Sequence, residues 1–426
     1  MSKSKNDDAW EKIFDKYKII NILEKADSFL ISSNDINNFR QARLMTKFDH
    51  RSQLPTLFAD NNLSILPVSR GSYIIGEFET FHTFSKDDTK IKKIDFPIFL
   101  ESLSHENITS EATAINCAFV SEIIHDFTGE NLLHPTVSGR MSSSSFDFDI
   151  NSSNGLFKVG VENSQIEIDG GYEGDNSLNI IEAKNYISDD FLVRQLFYPY
   201  RLWSGKINKR IRSIFLTYTN GIFHLREYSF KDSGYYNSIE LVKQRKYAFK
   251  DTVINIETIQ KILNSTKIID ETEIPFPQAD SFERVINLCE LLNQKDSLTK
   301  EEITQNYDFE ARQTNYYGNA GKYLKLLERR QINDSTSWFL TDKGRSILNL
   351  SIVDRQIEFT KLILSHAVFN DVLKVYFKTG QIPTKQEIVP IMRSHDLWNI
   401  SAETTYERRS STIISWINWI ISLVEE

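Results

Sequence analysis

Two spacings of apolar residues divide this 426-residue chain. In some stretches apolar and polar positions alternate, the period of a strand with one buried face; in others apolar residues return every third or fourth position, the period of a helix. The segment from Glu111 to Phe127 has the helical period, with Ile115, Ala118, Phe119, Ile123 and Phe127 on one stripe. Leu178, Ile180 and Ile181 predict a buried strand, and Asp189 to Trp203 predicts a helix with Ser188 as its N-cap. RSIFLTYT and GIFHLREYSF predict two further strands joined at Asn220-Gly221, a dipeptide suited to a tight hairpin turn. ILPVSRGSYIIGEFETF alternates about Arg70-Gly71, as a hairpin would, and the charged stretch SKDDTKIKKIDF, near residues 85 to 96, predicts a linker. The pattern predicts a mixed α/β core over 96–255, preceded by an α+β domain over 1–95.

The carboxy-terminal third is mainly helical and repeats itself. TKEEI at Thr299 returns 85 residues later as TKQEI at Thr384, each behind an apolar helical stretch. In both, threonine reads as an N-cap with Glu302 or Glu387 as its partner three residues on, which is a capping box. A longer helix follows each. In the first, Tyr316, Ala320, Leu324 and Leu327 make the core stripe, while Arg312, Gln313, Asn315 and Asn319 face outward. In the second, Thr405, Arg408, Arg409 and Thr412 lie opposite Ile413, Trp416 and Ile420. A wing-like strand, Trp338 to Leu340, completes the first copy. Residues 275–350 therefore look like a winged helix-turn-helix, and 351–426 like a second winged-helix-like module. Such modules bind either DNA or other proteins, and both uses stay open.

Length and composition agree with a chain of several domains. A net charge of -8 argues against binding nucleic acid through bulk charge and leaves room for local basic faces. No apolar run approaches the roughly 20 residues of a membrane span, so no membrane association is expected. The start, MSKSKNDDAWEKIF, lacks an apolar signal core, and Cys117 and Cys289 are too far apart in sequence to suggest a disulfide scaffold. A cytoplasmic location and buried thiols are the expectation. The chain has no G-x-x-x-x-G-K-[ST] loop, no H-E-x-x-H and no C-x-x-C, which argues against ATP-driven and zinc chemistry.

The chemistry concentrates in QIEIDGGYEGDNSLNIIEAKN, Gln165 to Asn185. Asp169 precedes Glu182 by thirteen residues, and Glu182 and Lys184 stand two apart on one predicted strand, so they share a face. Carboxylates converging from neighbouring strands make a hard oxygen site suited to Mg²⁺, and an ammonium beside them can orient an attacking water. The bland alternative is a hairpin whose exposed face carries ordinary charges. With the strand, turn, strand, helix order around it, this D…ExK pattern resembles the PD-(D/E)xK nuclease superfamily, and the whole chain is similar to a type II restriction endonuclease. Ile168 stands where the family name has proline.

The resemblance implies that Asp169 and Glu182 bind Mg²⁺, that the Ala183 carbonyl adds a ligand, and that Lys184 positions water and stabilises developing charge. It also implies an acid from the first core helix: Glu111 or Glu122 could serve, or Glu111 could simply favour its helix's N-terminal dipole. A polar residue at Gln195 facing the site is implied as well. Double-stranded DNA would be the substrate, a homodimer the assembly, and a DNA methyltransferase of matching specificity the partner.

Candidate DNA contacts come from charge spacing. Arg40, Arg43, Lys47 and Arg51 follow at steps of three, four and four, a basic ridge if one helix carries them all. Arg140 sits in a serine-rich loop and could meet a phosphate. Arg312, Gln313 and Asn315 of the first module and Arg408 and Arg409 of the second are the candidates for reading bases. Lys206, Lys209, Arg210 and Arg212 form either a DNA-facing rim or a solvated turn. Two other functions fit the same sequence: a DNA-binding regulator on a decayed nuclease fold, or a repair or modification-dependent nuclease.

Overall fold

A seven-stranded sheet forms the centre of the region that the alternating pattern marks out. The computed structural model describes residues 4–424 except 88, 107, 251–253, 310, 333–334, 396 and 399. The sheet strands are β1 (Ile91–Ile94), β2 (His134–Ser142), β3 (Gln165–Glu173), β4 (Ser177–Lys184), β5 (Arg210–Thr219), β6 (Ile222–Phe230) and β7 (Ile239–Phe249), in the order β1-β7-β6-β5-β4-β3-β2. The strand β4 runs antiparallel to β3 and parallel to β5. All eight of its residues are buried, as befits an interior strand covered on both faces. Asn220 and Gly221 both have positive φ, 48° and 77°, the backbone of the tight turn expected between β5 and β6.

Two helices pack on β3 and β4. The first begins at Ser110, whose hydroxyl accepts from the Thr113 N–H, and is α2 (Glu111–Val120); α1 (Lys5–Tyr17) precedes it in the chain. The helix expected to run from Glu111 to Phe127 breaks at Glu122, which adopts φ 64°, and resumes as α3 (Ile123–Thr128). Its stripe is otherwise as expected: Ile115, Ala118, Ile123 and Phe127 are buried, and the half-buried Phe119 stacks on Tyr172 at 4.7 Å. The second helix is α4 (Arg194–Ser204). It starts later than the sequence suggested, because Asp190–Leu192 forms a short strand against Phe81–Thr83 and buries Phe191 between Phe84, Phe215 and Tyr228.

Residues 1–97 belong to the same compact unit as 110–218 and 222–248. Their core gathers Trp10, Ile13 and Phe14 of α1 with Phe48 and Phe58. The hairpin about Arg70-Gly71 pairs Ser64–Pro67 with Ser72–Gly76. The stretch expected as a linker instead supplies β1, which lies at an edge of the main sheet, where lysines such as Lys92 and Lys93 discourage further pairing.

The second compact unit comprises 98–109, 219–221 and 249–426. In it α5 (Phe282–Gln294), β8 (Leu298–Thr299), α6 (Lys300–Asn306), α7 (Ala311–Tyr323), β9 (Leu327–Ile332) and β10 (Ser335–Leu340) follow one another, with the strands in the order β8-β10-β9. Later come α8 (Ala367–Thr379), α9 (Lys385–Arg393) and α10 (Glu403–Ser422). Both capping boxes form: the Thr299 and Thr384 N–H groups donate to Glu302 and Glu387 at 2.7 and 2.8 Å. Of the expected stripe, Ala320, Leu324 and Leu327 are buried and only Tyr316 is half-buried; Thr314 and Tyr317 are buried as well, on a helix where a Cβ at Gly318 or Gly321 would overlap Trp338 or Leu327. The glycines, more than the tyrosines, set this contact. In the second copy Thr412 is buried beside Ile413 and Trp416 instead of facing outward.

Candidate active site

Glu182 and Lys184 leave the carboxyl end of β4 side by side, and both are buried. The Lys184 ammonium donates to Glu182 Oε1 at 2.6 Å, and Gln195, one residue into α4, donates to the same oxygen at 2.7 Å. Asp169 of β3 accepts the Ala183 N–H on Oδ2 at 2.8 Å, which ties the two strands at the level of the site. The glycines after Asp169 are not a turn. They continue β3: a Cβ at Gly171 would approach Val137 to 2.8 Å, so this glycine permits β2 to close against β3, while one at Gly170 would meet Ile115 of α2 at 3.1 Å.

The site crowds several acids around one buried cation. Burial pushes the Glu182 carboxyl up to about 8, with Lys184 opposing and Asp169 adding to the rise. Burial likewise raises Asp169 and Glu111, although Lys184 draws both down. Lys184 shows the complement: desolvation favours its neutral form, yet Glu182, Tyr186, Asp49 and Glu111 together hold it firmly charged. Glu111 thus lies within the field of Lys184 and Asp169, and it does so from the first turn of α2.

Two contributors lie outside the motif. The first is Asp49, which is buried; desolvation acts against its charge, but Lys184, Lys47, His50 and Arg194 hold its carboxyl below the ordinary range. The second is His50, fully buried beside it. Its Nδ1 lies 2.6 Å from the Asp190 carbonyl, which can only accept, so Nδ1 carries a hydrogen, and its Nε2 lies 2.9 Å from the Tyr186 hydroxyl. Burial keeps Tyr186 a phenol. Nothing in the spacing of Asp49, 120 residues before Asp169, marks it as part of a site; only folding brings it there.

The expected DNA contacts fare differently. Only Ala42–Met45 of the basic ridge is helical, so Arg40, Arg43, Lys47 and Arg51 do not share one helix face. Arg43 is exposed, Arg40 half-buried, Lys47 pairs with Asp49 at 3.6 Å, and Arg51 approaches Asp190 at 3.6 Å. Arg140 lies in β2, not in a loop, and pairs with Glu167 across the strands at 3.2 Å. Arg312 is exposed and donates to the Tyr316 hydroxyl at 2.6 Å; Gln313 and Asn315 are half-buried on the same helix. Arg408 is exposed and Arg409 half-buried near the start of α10. The Lys206 to Arg212 cluster is neither rim nor solvated turn throughout: Lys209 pairs with Glu173 at 2.8 Å, and Arg212 is buried against Glu227 at 2.6 Å. Both cysteines are buried, as expected.

The donors are all oxygens, and the Gln195 Oε1 atom is buried with no hydrogen-bond partner, so the residues suit a hard divalent cation in kind. Among the described residues no three such side chains already stand close enough together to hold one. Residues 7–75, 76–248 and 284–425 match three family models, each described as a domain of unknown function: DUF6996, DUF6997 and DUF7226 respectively. The second contains Glu111, Asp169, Glu182 and Lys184, and the first contains Asp49. No curated protein and no solved structure matches the chain. No described helix is long and apolar enough to cross a membrane.

Proposed function

We propose that this protein is a type II restriction endonuclease that hydrolyses phosphodiester bonds of double-stranded DNA with Mg²⁺. The observation that carries the reading is the joining of Asp169, midway along β3, to the carboxyl end of β4 where Glu182 and Lys184 stand, with Glu111 in the same electrostatic field. A mixed sheet whose β4 lies antiparallel to β3 and parallel to β5, with α2 and α4 packed on it, supports a restriction-endonuclease-like core. The order α5, β8, α6, α7, β9, β10 supports a winged helix for DNA contact. A homodimer cutting a symmetric site and a methyltransferase protecting the host DNA belong to the same proposal.

In this mechanism Asp169 and Glu182 would hold the cation, with Glu111 and the Ala183 carbonyl as further oxygen donors. When bound, Mg²⁺ polarises the phosphate and lowers the pKa of a ligated water. Lys184 holds a water against the phosphorus and balances charge that grows on the phosphate oxygens. Gln195 steadies Glu182 through its 2.7 Å bond, so the carboxylate needs little reorganisation when substrate enters. Burial raises the cost of ionising the acids without a cation, which makes cation binding and their ionisation mutually reinforcing.

The test is a pair of variants with opposite signatures. Asp169→Ala should eliminate cleavage and leave the thermal midpoint nearly unchanged, because it removes a cation ligand from a half-buried position. Lys184→Ala should lower the cleavage rate by orders of magnitude, with DNA affinity in Ca²⁺ retained. Lys184→Ala losing affinity alone would make the lysine a phosphate clamp, and full cleavage by Asp169→Ala would refute the cation site.

A further inference from the structure

The second unit holds a cavity whose charge is opposite to that of the chain. About 380 Å³ in volume, it is lined from the end of the helix Ile256–Ser265, the end of α7 and the helices Asp342–Leu348 and Ile352–Leu364. That is the size of a small-molecule site. Lys267, Lys325, Lys343 and Lys361 line it with one acid, Glu358, in a chain whose net charge is -8. All four lysines are exposed, so each can reach an anion at the mouth. Glu358 is committed to Lys361 at 2.7 Å, and among the described residues no acid pairs with Lys267, Lys325 or Lys343. Burial, and then the neighbouring Lys325, weigh against charge on the Lys343 ammonium, with Glu358 opposing. The fold thus leaves a local surplus of positive charge that an anion would relieve.

The rest of the lining is of another kind. Ile269, Leu324 and Leu362 give it apolar surface, and Tyr323 and His366, both buried, stack with ring centroids 4.0 Å apart. Both rings are held in place: the Tyr323 hydroxyl donates to Glu271 at 2.8 Å, and His366 Nδ1 lies 3.3 Å from the same carboxyl. The Ile269 N–H donates to the Ser365 carbonyl at 2.9 Å, which pins the segment after residue 265 to the helix that carries Leu362. Lys325 stands in a strained position. It follows α7 with φ 58°, left-handed backbone of the kind in which α8 ends on Gly380 at φ 71°. The Thr341 hydroxyl, donating to the Lys325 carbonyl at 2.8 Å, holds it there. We infer that this cavity binds an organic phosphate of about nucleotide size, its phosphate oxygens on Lys267, Lys325 and Lys343 and its organic part against the apolar wall. Compact ammonium charges suit phosphate oxygens, and the wall offers burial to a ring or chain that an inorganic ion lacks. None of these residues belongs to the candidate active site.

Isothermal titration of the full chain with ADP, GDP and inorganic pyrophosphate, in metal-free buffer containing EDTA, tests the cavity without engaging the candidate active site. ADP or GDP should bind saturably, and more tightly than pyrophosphate. The double variant Lys325→Gln, Lys343→Gln should weaken that binding about tenfold or more, the loss expected when a charge-assisted hydrogen bond is removed. Lys325→Gly guards against a folding defect, because glycine adopts this backbone freely; it should melt no lower than the parent and still bind more weakly. Absence of binding by both nucleotides at millimolar concentration would overturn the inference, as would binding that neither variant weakens. An equal signal from sodium sulfate at the same ionic strength would also overturn it, because any exposed lysine patch attracts an anion in that way. If the double variant instead loses affinity for duplex DNA in Ca²⁺ and neither nucleotide binds the parent, the lysines serve the DNA backbone and the small-molecule site falls.

Discussion

Two buried charge clusters on the same sheet are matched in opposite ways. On β5 and β6, Arg212 forks onto both oxygens of Glu227 at 2.9 and 2.6 Å and gives its remaining nitrogen to the Thr128 carbonyl at 2.6 Å, with Arg210 adding a further contact. Every strong group has its partner. At the end of β4, Glu182, Asp169, Glu111 and Asp49 share the field of one buried lysine, and three of the four carboxyls are pushed up. A closed pair fixes a structure, whereas a surplus of one sign stores an affinity for an ion that folding alone does not satisfy. This contrast is why the proposed chemistry is placed at the β4 cluster and Arg212 and Glu227 are read as framework.

The largest effect that could break this contrast is on stability. Glu227→Ala strands a buried guanidinium and should cost about 3–5 kcal/mol, read by chemical denaturation. Glu182→Gln, which keeps a hydrogen-bond acceptor beside the buried Lys184 ammonium, should cost far less. A reversal of that order would mean the β4 cluster is the structural one.

Next in size is DNA reading by the second unit. If α7 contacts bases, Arg312→Ala or Gln313→Ala should weaken binding to the cognate duplex by about 1–3 kcal/mol and leave random duplex almost unaffected. Titrations in Ca²⁺ with both duplexes decide it, and equal losses on both would reduce α7 to a phosphate contact.

A smaller, pH-dependent effect sharpens the charge argument. The Glu182 carboxyl sits at about 8 in the fold against 4.5 for an ordinary glutamate, so the folded state binds the proton more tightly. The stability due to that proton is complete below about 4.5 and is lost as pH rises toward 8. In metal-free buffer the thermal midpoint should therefore decline from pH 5 to 8, and Glu182→Gln should flatten the decline. Mg²⁺ at pH 8 should raise the midpoint of the parent and not of Glu182→Gln. A decline of equal slope in the glutamine variant would place the titrating group elsewhere.

The smallest effect concerns the amino-terminal basic residues. Arg43→Ala should reduce affinity for all duplexes alike and make the salt dependence shallower by about one unit. Loss of sequence discrimination in this variant would move base reading to the amino-terminal region.

Local pattern made much of this architecture readable. The strand at Leu178, the Asn220-Gly221 turn and both threonine capping boxes depend on residues within a few positions of each other, and all are present in the fold. The pair Glu182 and Lys184 was readable for the same reason, since a strand places alternate residues together. What escaped depends on contacts distant in sequence. Asp49 is brought to this end of the sheet by hydrogen bonds of residues 49–51 to Tyr186, Asp190 and Leu192, more than 130 residues away in sequence. Arg212 looked like part of a surface cluster until its partner Glu227 arrived from the next strand. On α7 apolar periodicity gave weight to Tyr316, which is half-buried, whereas Tyr317 is the buried tyrosine.

The most direct test of the central claim is cleavage of long duplex DNA of varied sequence by the full chain, with Mg²⁺ or with EDTA, beside Glu182→Ala under the same conditions. The account predicts discrete fragments from the parent in Mg²⁺ alone and intact DNA in the other three reactions. Intact DNA with the parent in Mg²⁺, or the same fragments from Glu182→Ala, would contradict it.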